Sequence, residues 1–292
     1  MTSTAILPST QSAGCWSSRM ERLHMRDTVW GITTKRAGPP IAKSVTSTLI
    51  GAAIKDGLIS TVQDPVTEYL PELRKTVYND NTLQQLLQMS SGVRWDESTY
   101  TVSGNSEISQ YFEAFNSGRR VAMMDLMKSM VRIAPPGVKG NHNTGDYFLL
   151  AKIMSRATHK TTTDYFSEKI WKPAGMERDG YWLLDAPDGQ ELGGTSFSAT
   201  LRDFGRLGQF FLDDAALIVP KGWFKEAVVP AFALDDDFYY GYGWKTDVRP
   251  ITILRIQCCR LVTAASTGRS FTLIRQGKWW LFNGSVPSGW LL

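Results

Sequence analysis

The last part of the chain contains no acidic residue. From Arg249 to Leu292 there is no Asp and no Glu, although five Arg and one Lys occur. Apolar runs in this part carry scattered arginines without the strict alternation that half-buried strands show. Because composition and hydrophobic pattern both change near Val248, residues 249–292 form an atypical tail.

Cysteine is scarce and has no regular spacing. Only three cysteines occur in 292 residues, and two of them are adjacent, at Cys258 and Cys259, with the third at Cys15. Adjacent cysteines rarely bond each other, and an odd number argues against a disulfide framework. This usage is typical of a reducing compartment.

Histidine is equally scarce, with three residues far apart in the sequence (His24, His142 and His159). Neither they nor the cysteines have the short, repeated spacing of metal-ligand sets. We therefore expect no metal site and no cofactor.

The sequence also lacks long hydrophobic runs and a strong charge of one sign. No apolar run reaches the ~18 residues that span a bilayer. The net charge is only +4, with 32 basic and 28 acidic residues, so neither a nucleic acid nor a membrane is an expected partner. The first residues show no leader pattern, so a soluble, cytoplasmic protein is expected. The oligomeric state stays open.

The middle of the chain carries clear helical patterns. Apolar and small residues recur at helical spacing over residues 40–57, with Pro40 suited to the first turn and Gly57 to the end. A further helix is expected to begin near Asn143, after the turn at Pro135-Pro136-Gly137. Asn81 is expected to cap the helix in TLQQLLQM, and TSFSATLRDFGRLGQFFLD is expected to form one long amphipathic helix.

A series of segments in this region resembles one enzyme superfamily. In chain order they are AKSVTSTLIGAAIKDGLI, DPVTEYLPEL, TLQQLLQMSSGV, PPGVKGNHNTGDYFLLAKIMSRAT, SEKIWKPAGM, YWLLDAP, GGTSFSATLRDFGRLGQFFLD and YYGYGW. Their order and spacing resemble the serine hydrolases of the class C β-lactamase, penicillin-binding protein and esterase superfamily, nearest the 6-aminohexanoate-dimer hydrolase (nylon-oligomer hydrolase) type. The resemblance covers roughly residues 38–248. It divides the chain into an atypical N-terminal segment (1–37), a serine-hydrolase domain (38–248) and the tail (249–292).

The resemblance implies a fold and a mechanism. The fold is α/β (α+β): an antiparallel sheet flanked by helices, with an all-helical lobe. The activity is hydrolysis of a small amide or ester through an acyl-enzyme. In the family a serine lies three residues before a lysine, on the same helix face, and the lysine takes the serine proton. A tyrosine relays protons, and backbone N–H groups stabilise the oxyanion.

This chain departs from that pattern at two catalytic positions. Lys43 matches the lysine, but Pro40 occupies the nucleophile position and His142 the tyrosine position. Proline has no nucleophilic atom, whereas an imidazole with a pKa near ~6.5 can in principle exchange protons. Ser47, four residues after Lys43, is an alternative nucleophile on the same face, although an ordinary role as a small helix residue is favoured.

The resemblance also suggests residues that line a substrate cleft, although aromatic residues more often belong to a core. The candidates are Asn143, Tyr181, Trp182 and Tyr240. Lys245-Thr246 resembles the Lys-Thr-Gly motif of β-lactamases, but Asp247 replaces the glycine, and a match this short is common by chance.

Three interpretations follow. The chain is a serine hydrolase impaired at its nucleophile, or a ligand-binding pseudoenzyme that uses the same cleft, or a hydrolase rewired to Ser47. A further hypothesis concerns the ends of the chain. With suitable codons, residues 271–284 read in another frame give Y-L-N-P-P-G-K-M-V-V-V-Q-W, which resembles the family's final strand pair. We therefore expect damaged strands at both ends, with the tail read out of frame.

Overall fold

The computed structural model describes most of the middle of the chain and separate strands at its ends. The described residues are 12–17, 24–25, 35–38, 41–97, 105–213, 215–233, 238–247, 260–263, 269–274 and 279–284. Pro40 lies outside them, so its expected role stays a prediction from the sequence.

Helices form most of the region between the two chain ends. They are α1 (Ile41–Lys55), α2 (Val66–Tyr69), α3 (Leu83–Leu87), α4 (Glu107–Asn116), α5 (Ala122–Ser129), α6 (Thr144–Thr158), α7 (Thr162–Phe166), α8 (Leu201–Asp213) and α9 (Trp223–Ala227). Short 3-10 turns lie at Pro71–Leu73 and Ala215–Leu217, and a π turn at Ser167–Trp171 continues α7.

The strands form two antiparallel sheets. They are β1 (Ser12–Ser17), β2 (His24–Met25), β3 (Lys35–Gly38), β4 (Tyr181–Trp182), β5 (Phe197–Thr200), β6 (Phe232–Ala233), β7 (Phe238–Tyr240), β8 (Lys245–Asp247), β9 (Arg260–Thr263), β10 (Arg269–Ile274) and β11 (Trp279–Gly284). The larger sheet has the order β2-β1-β11-β10-β9-β8-β7-β6, and the smaller has the order β3-β5-β4. Strands from both chain ends therefore meet, with Ser12 opposite Gly284 in the β1–β11 pair.

Helix α1 lies at the centre of the molecule. Every residue from Ile41 to Ala53 is buried, and the helix packs against α6. Its apolar residues join one continuous core, and two of its hydroxyl side chains bond to carbonyl groups of distant loops. Ser44 Oγ donates to the carbonyl of Gly243 at 2.6 Å, and Thr46 Oγ1 donates to the carbonyl of Gly193 at 2.8 Å. These bonds offset the cost of burying Ser44 and Thr46.

The expected architecture is confirmed: antiparallel sheets, flanking helices and a helical lobe formed by α2 to α7. One boundary prediction is wrong. The segment TSFSAT, expected as the first turns of a long helix, contains β5, which pairs with β3 and β4 before α8 begins at Leu201. Phe197 and Ala199 are buried there, as the alternation of a strand requires.

The strands at the ends bear on the reading-frame hypothesis without deciding it. We expected these strands to be damaged, and the structure pairs the backbones of β9, β10 and β11 in antiparallel register. The division at residues 37 and 248 and the shifted frame stay predictions. Within the described residues, no helix is long and apolar enough to cross a membrane.

Candidate active site

Lys43 occupies the centre of the candidate site. It lies in the first turn of α1 and is only 4% exposed. Its Nζ donates to Thr144 Oγ1 at 3.1 Å and to the carbonyl oxygen of Gly194 at 2.9 Å. Three distant parts of the chain, namely α1, the start of α6 and the turn before β5, therefore meet at one ammonium group.

The setting of Lys43 alters its proton affinity. Burial lowers its pKa from 10.5 to about 8, the charge of Glu97 acts in the opposite direction, and the charge of Lys245 lowers the pKa further. A lysine tuned in this way exchanges a proton near neutral pH, as a general base must.

Glu97 is distant from α6 in sequence, but its side chain lies against the first residue of that helix, Thr144. Its side chain is 6% exposed. Oε1 accepts hydrogen bonds from the backbone N–H of Thr144 and from Trp95 Nε1, both at 2.7 Å. The positive end of the α6 dipole favours a carboxylate in this place.

His142 lies beside Glu97. Its Nδ1 is 3.4 Å from Glu97 Oε2, and its side chain is 31% exposed. The residue at the family's tyrosine position is therefore held by a carboxylate and partly reaches solvent. Lys43, Glu97, His142, Thr144 and Gly194 are called the Lys43 cluster below.

Asn143 stabilises the start of α6. It is the N-cap of α6 and is 1% exposed. Its side-chain oxygen accepts from the N–H of Asp146 at 3.2 Å, and its Nδ2 donates to Asp146 Oδ1 at 3.0 Å. Tyr78 also donates to Asp146 Oδ1, at 3.3 Å, and burial raises the pKa of this carboxyl to about 8.

Ser47 is fully buried. A β-carbon built on Gly243 would lie 2.9 Å from Ser47 Cβ and 2.7 Å from the Lys43 carbonyl oxygen, so the Gly243 turn lies directly on α1. Contact between a substrate and Ser47 Oγ would require this turn to move.

Comparison with known proteins decides the family. The family model described as Beta-lactamase matches residues 41–287, most of the chain. The chain belongs to the beta-lactamase family. This family comprises serine hydrolases, and the match begins one residue after Pro40.

Among curated beta-lactamase relatives, the 6-aminohexanoate-dimer hydrolase of Paenarthrobacter ureafaciens is 26% identical over 63% of this chain and 48% of its own length. A Beta-lactamase of Yersinia enterocolitica is 21% identical over 76% of this chain and 61% of its own. The chain thus spans about half to three fifths of the curated relatives it matches.

Solved structures of beta-lactamase-like proteins share the fold. A Bacillus anthracis protein provisionally described as a 6-aminohexanoate-dimer hydrolase superposes with a TM-score of 0.77 at 21% identity, over 95% of this chain and 74% of its own. The octameric penicillin-binding protein homologue of Pyrococcus abyssi gives 0.72 at 17% identity, over 96% and 70%. The resemblance inferred from the sequence is confirmed.

Two of the three proposed substrate-binding aromatics of this beta-lactamase relative share one cavity, which does not include the third. Tyr181, which is 54% exposed, and Trp182 line a cavity of about 250 Å³ together with Trp171 and Phe197. The described lining of that cavity includes no member of the Lys43 cluster. Tyr240 is instead buried, at 3% exposure, so a substrate-binding role for all three in one cleft stays a prediction.

Besides Gly194, sequence reasoning missed three contributors to the site. Thr144 lies two residues after His142, the expected motif position, and its place in the sequence could have identified it. Lys245, discounted as a chance match, begins β8, and its charge reaches Lys43. Glu97 had no signal, because nothing in its local sequence indicates that it meets residues 142–144. Across the part of the chain that the structure covers, no group of three His, Cys, Asp or Glu side chains forms a metal site.

Proposed function

We propose that this chain retains the ligand cleft of a β-lactamase-like hydrolase but does not form an acyl-enzyme. It binds a small amide or ester beside the Lys43 cluster and turns it over poorly or not at all. The observation that carries the proposal is Pro40 at the position where the family has its serine.

The rest of the cluster supports retention of binding. Lys43 keeps hydrogen bonds to Thr144 and Gly194, and its lowered pKa suits a group that meets a polar ligand. These contacts join residues 101 and 151 positions apart, so they require the folded arrangement rather than local sequence.

The missing nucleophile supports the loss of turnover. Proline offers neither a hydroxyl nor a backbone N–H, so position 40 supplies neither the attacking oxygen nor an oxyanion donor. Removing the nucleophile of a serine protease lowers kcat on the order of 10⁶-fold. An imidazole at His142 can still exchange protons, so the loss of turnover follows from Pro40 alone.

The class of ligand follows from the family and its relatives. A curated relative is a 6-aminohexanoate-dimer hydrolase, and a D-stereospecific amidohydrolase of Streptomyces shares the fold. A linear amide with charged ends is therefore the first compound to test, and an activated ester is the most sensitive reporter of residual turnover.

The test compares binding with turnover. The linear 6-aminohexanoate dimer is titrated against the full chain by calorimetry, and p-nitrophenyl acetate hydrolysis is followed in the same buffer. We expect saturable binding of the dimer, and ester hydrolysis no faster than that of a Lys43→Met variant. Pro40→Ser should then release p-nitrophenol in a burst of about one equivalent, the signature of an acyl-enzyme.

Two results would reject the proposal. If the folded chain does not bind the dimer, the claim that it retains the ligand cleft is contradicted. A burst from the unaltered chain would show a working nucleophile, and its loss in Ser47→Ala would assign that role to Ser47.

A further inference from the structure

The Glu97 carboxylate makes several contacts within the Lys43 cluster, and no sequence motif predicts them. One carboxylate oxygen accepts from the Thr144 amide and the Trp95 indole, and the other faces His142 Nδ1. Thr144 Oγ1 in turn accepts a hydrogen bond from the Lys43 ammonium. Glu97 therefore contacts His142 directly and is connected to Lys43 through Thr144.

The charge of Glu97 reaches buried groups on four other elements. It opposes the burial that lowers the pKa of Lys43 on α1, and it adds to the burial that raises the pKa values of Tyr111 on α4, Asp146 on α6 and Tyr240 on β7. His142 lies within the same field, because its Nδ1 faces Glu97 Oε2. A carboxylate that acts on so many elements has more than a local capping role.

The contact with Nδ1 has a defined consequence for His142. A neutral imidazole carries one proton, and a carboxylate beside Nδ1 favours the tautomer with the proton on that nitrogen. The lone pair then resides on Nε2. Carboxylates orient histidine in this way in catalytic triads and in metal sites.

We propose that Glu97 is the positioning residue of the Lys43 cluster. Its carboxylate fixes His142 as the Nδ1–H tautomer and holds the Thr144 amide so that Thr144 Oγ1 faces Lys43. His142 Nε2 thereby becomes the proton acceptor that replaces the family's tyrosine oxygen. This inference rests on the geometry around Glu97 and does not depend on whether the chain turns over a substrate.

The test is ¹⁵N NMR of the histidine rings in the full chain, which contains only three histidines. We expect the neutral form of His142 to carry its proton on Nδ1. In Glu97→Gln, which preserves size but removes charge, we expect the His142 pKa to fall by about 1–2 units and the Nε2–H tautomer to gain population. Glu97→Asp, which keeps the charge, should retain a His142 pKa closer to that of the unaltered chain.

Glu191 provides a matched control. It is also buried and accepts from the backbone amides of Thr162 and Thr163 at the start of α7, as Glu97 does at the start of α6. Glu191→Gln should lower stability but leave the His142 pKa unchanged. An equal shift in both variants would show a general structural effect and reject a positioning role.

The inference also fails on the unaltered chain alone if neutral His142 carries its proton on Nε2. That measurement needs no variant, so it decides the question even if Glu97→Gln does not fold.

Discussion

A buried ammonium group such as that of Lys43 needs acceptors, because an unpaired charge in the interior costs several kcal/mol. The carbonyl oxygen of Gly194 and the hydroxyl of Thr144 supply them, and the Glu97 carboxylate acts at longer range. The remaining unfavourable desolvation shows as the lowered pKa of Lys43. At the scale of single residues, the site is therefore held together at a cost in stability that depends on pH.

The pH dependence of Lys43 has a definite sign. Between about 8, its folded pKa, and 10.5, its unfolded value, the unfolded chain binds more protons, so stability rises with pH across this window. Relative to Lys43→Met, the unaltered chain should gain about 3 kcal/mol in its free energy of unfolding from pH 8 to pH 10.5. Urea unfolding of both proteins at several pH values measures this difference, and a pH-independent difference would contradict the burial of a charged Lys43.

Gly243 limits how the turn before β8 can rest on α1. Its φ is +77°, and a β-carbon there would meet the Lys43 carbonyl oxygen at 2.7 Å. Gly243→Ala should therefore lower stability by about 2–4 kcal/mol, from backbone strain plus overpacking. Gly57→Ala is the control, since Gly57 has φ +73° but open space around it, and should lose only about 1 kcal/mol. Equal losses in thermal or urea unfolding would mean that the turn does not press on α1.

Sequence reasoning located part of the site at this scale. Helical spacing predicted the helix that carries Lys43, and the family resemblance marked Lys43, His142 and Asn143 as candidates, because these signals lie within short stretches of sequence. Glu97 and Gly194 were not predictable, since their roles arise only when loops distant in sequence meet at Lys43. A substrate-binding role for Asn143 stays a prediction, because an N-cap and a ligand-binding amide use the same residue type.

At the scale of elements, helix patterns were the most reliable signal. The helix expected over 40–57 is α1, Ile41–Lys55, and the helix expected from Asn143 is α6, which begins at Thr144. The cap of α3 was assigned one residue too early: Thr82, not Asn81, is the N-cap, in a capping box with Gln85. Strand β5 was missed because its pairing with β3, about 160 residues earlier, leaves no local period.

The start of α6 allows a test of the role of Asn143. Asn143→Ala removes the cap and leaves Asp146 without one donor, so stability should fall by about 2 kcal/mol. Thr161→Ala, at the more exposed N-cap of α7, should lose about 1 kcal/mol or less. Binding of the 6-aminohexanoate dimer to folded Asn143→Ala should be unchanged. Weaker binding with unchanged stability would instead support the substrate-binding role suggested by the sequence.

At the scale of the whole molecule, the two chain ends close the larger sheet. Strands β1 and β2 from the first residues and β9 to β11 from the tail make up more than half of its strands. The family match reaches residue 287 and so includes most of the tail. Yet residues 249–292 contain no acidic residue and no regular alternation of apolar and polar residues. Strands of a half-buried sheet are expected to show such alternation.

The reading-frame hypothesis is tested by genomic DNA and transcript sequence across codons 25–45 and 245–292. We expect a frame change near codon 248 that yields a final strand pair ending in V-V-V-Q-W. An uninterrupted frame, with peptides from the expressed protein that match the tail as written, would contradict the hypothesis. It would also establish the Pro40 codon directly.

The central claim is that the Lys43 cluster is assembled beside a position that cannot attack a substrate. Intact-protein mass spectrometry after incubation with a fluorophosphonate tests it most directly. We predict no mass increase for the chain as written, and an increase of one phosphonyl group for Pro40→Ser that is lost in Pro40→Ser with Lys43→Met. A phosphonyl adduct on the unaltered chain would contradict the account, and the modified peptide would identify the nucleophile.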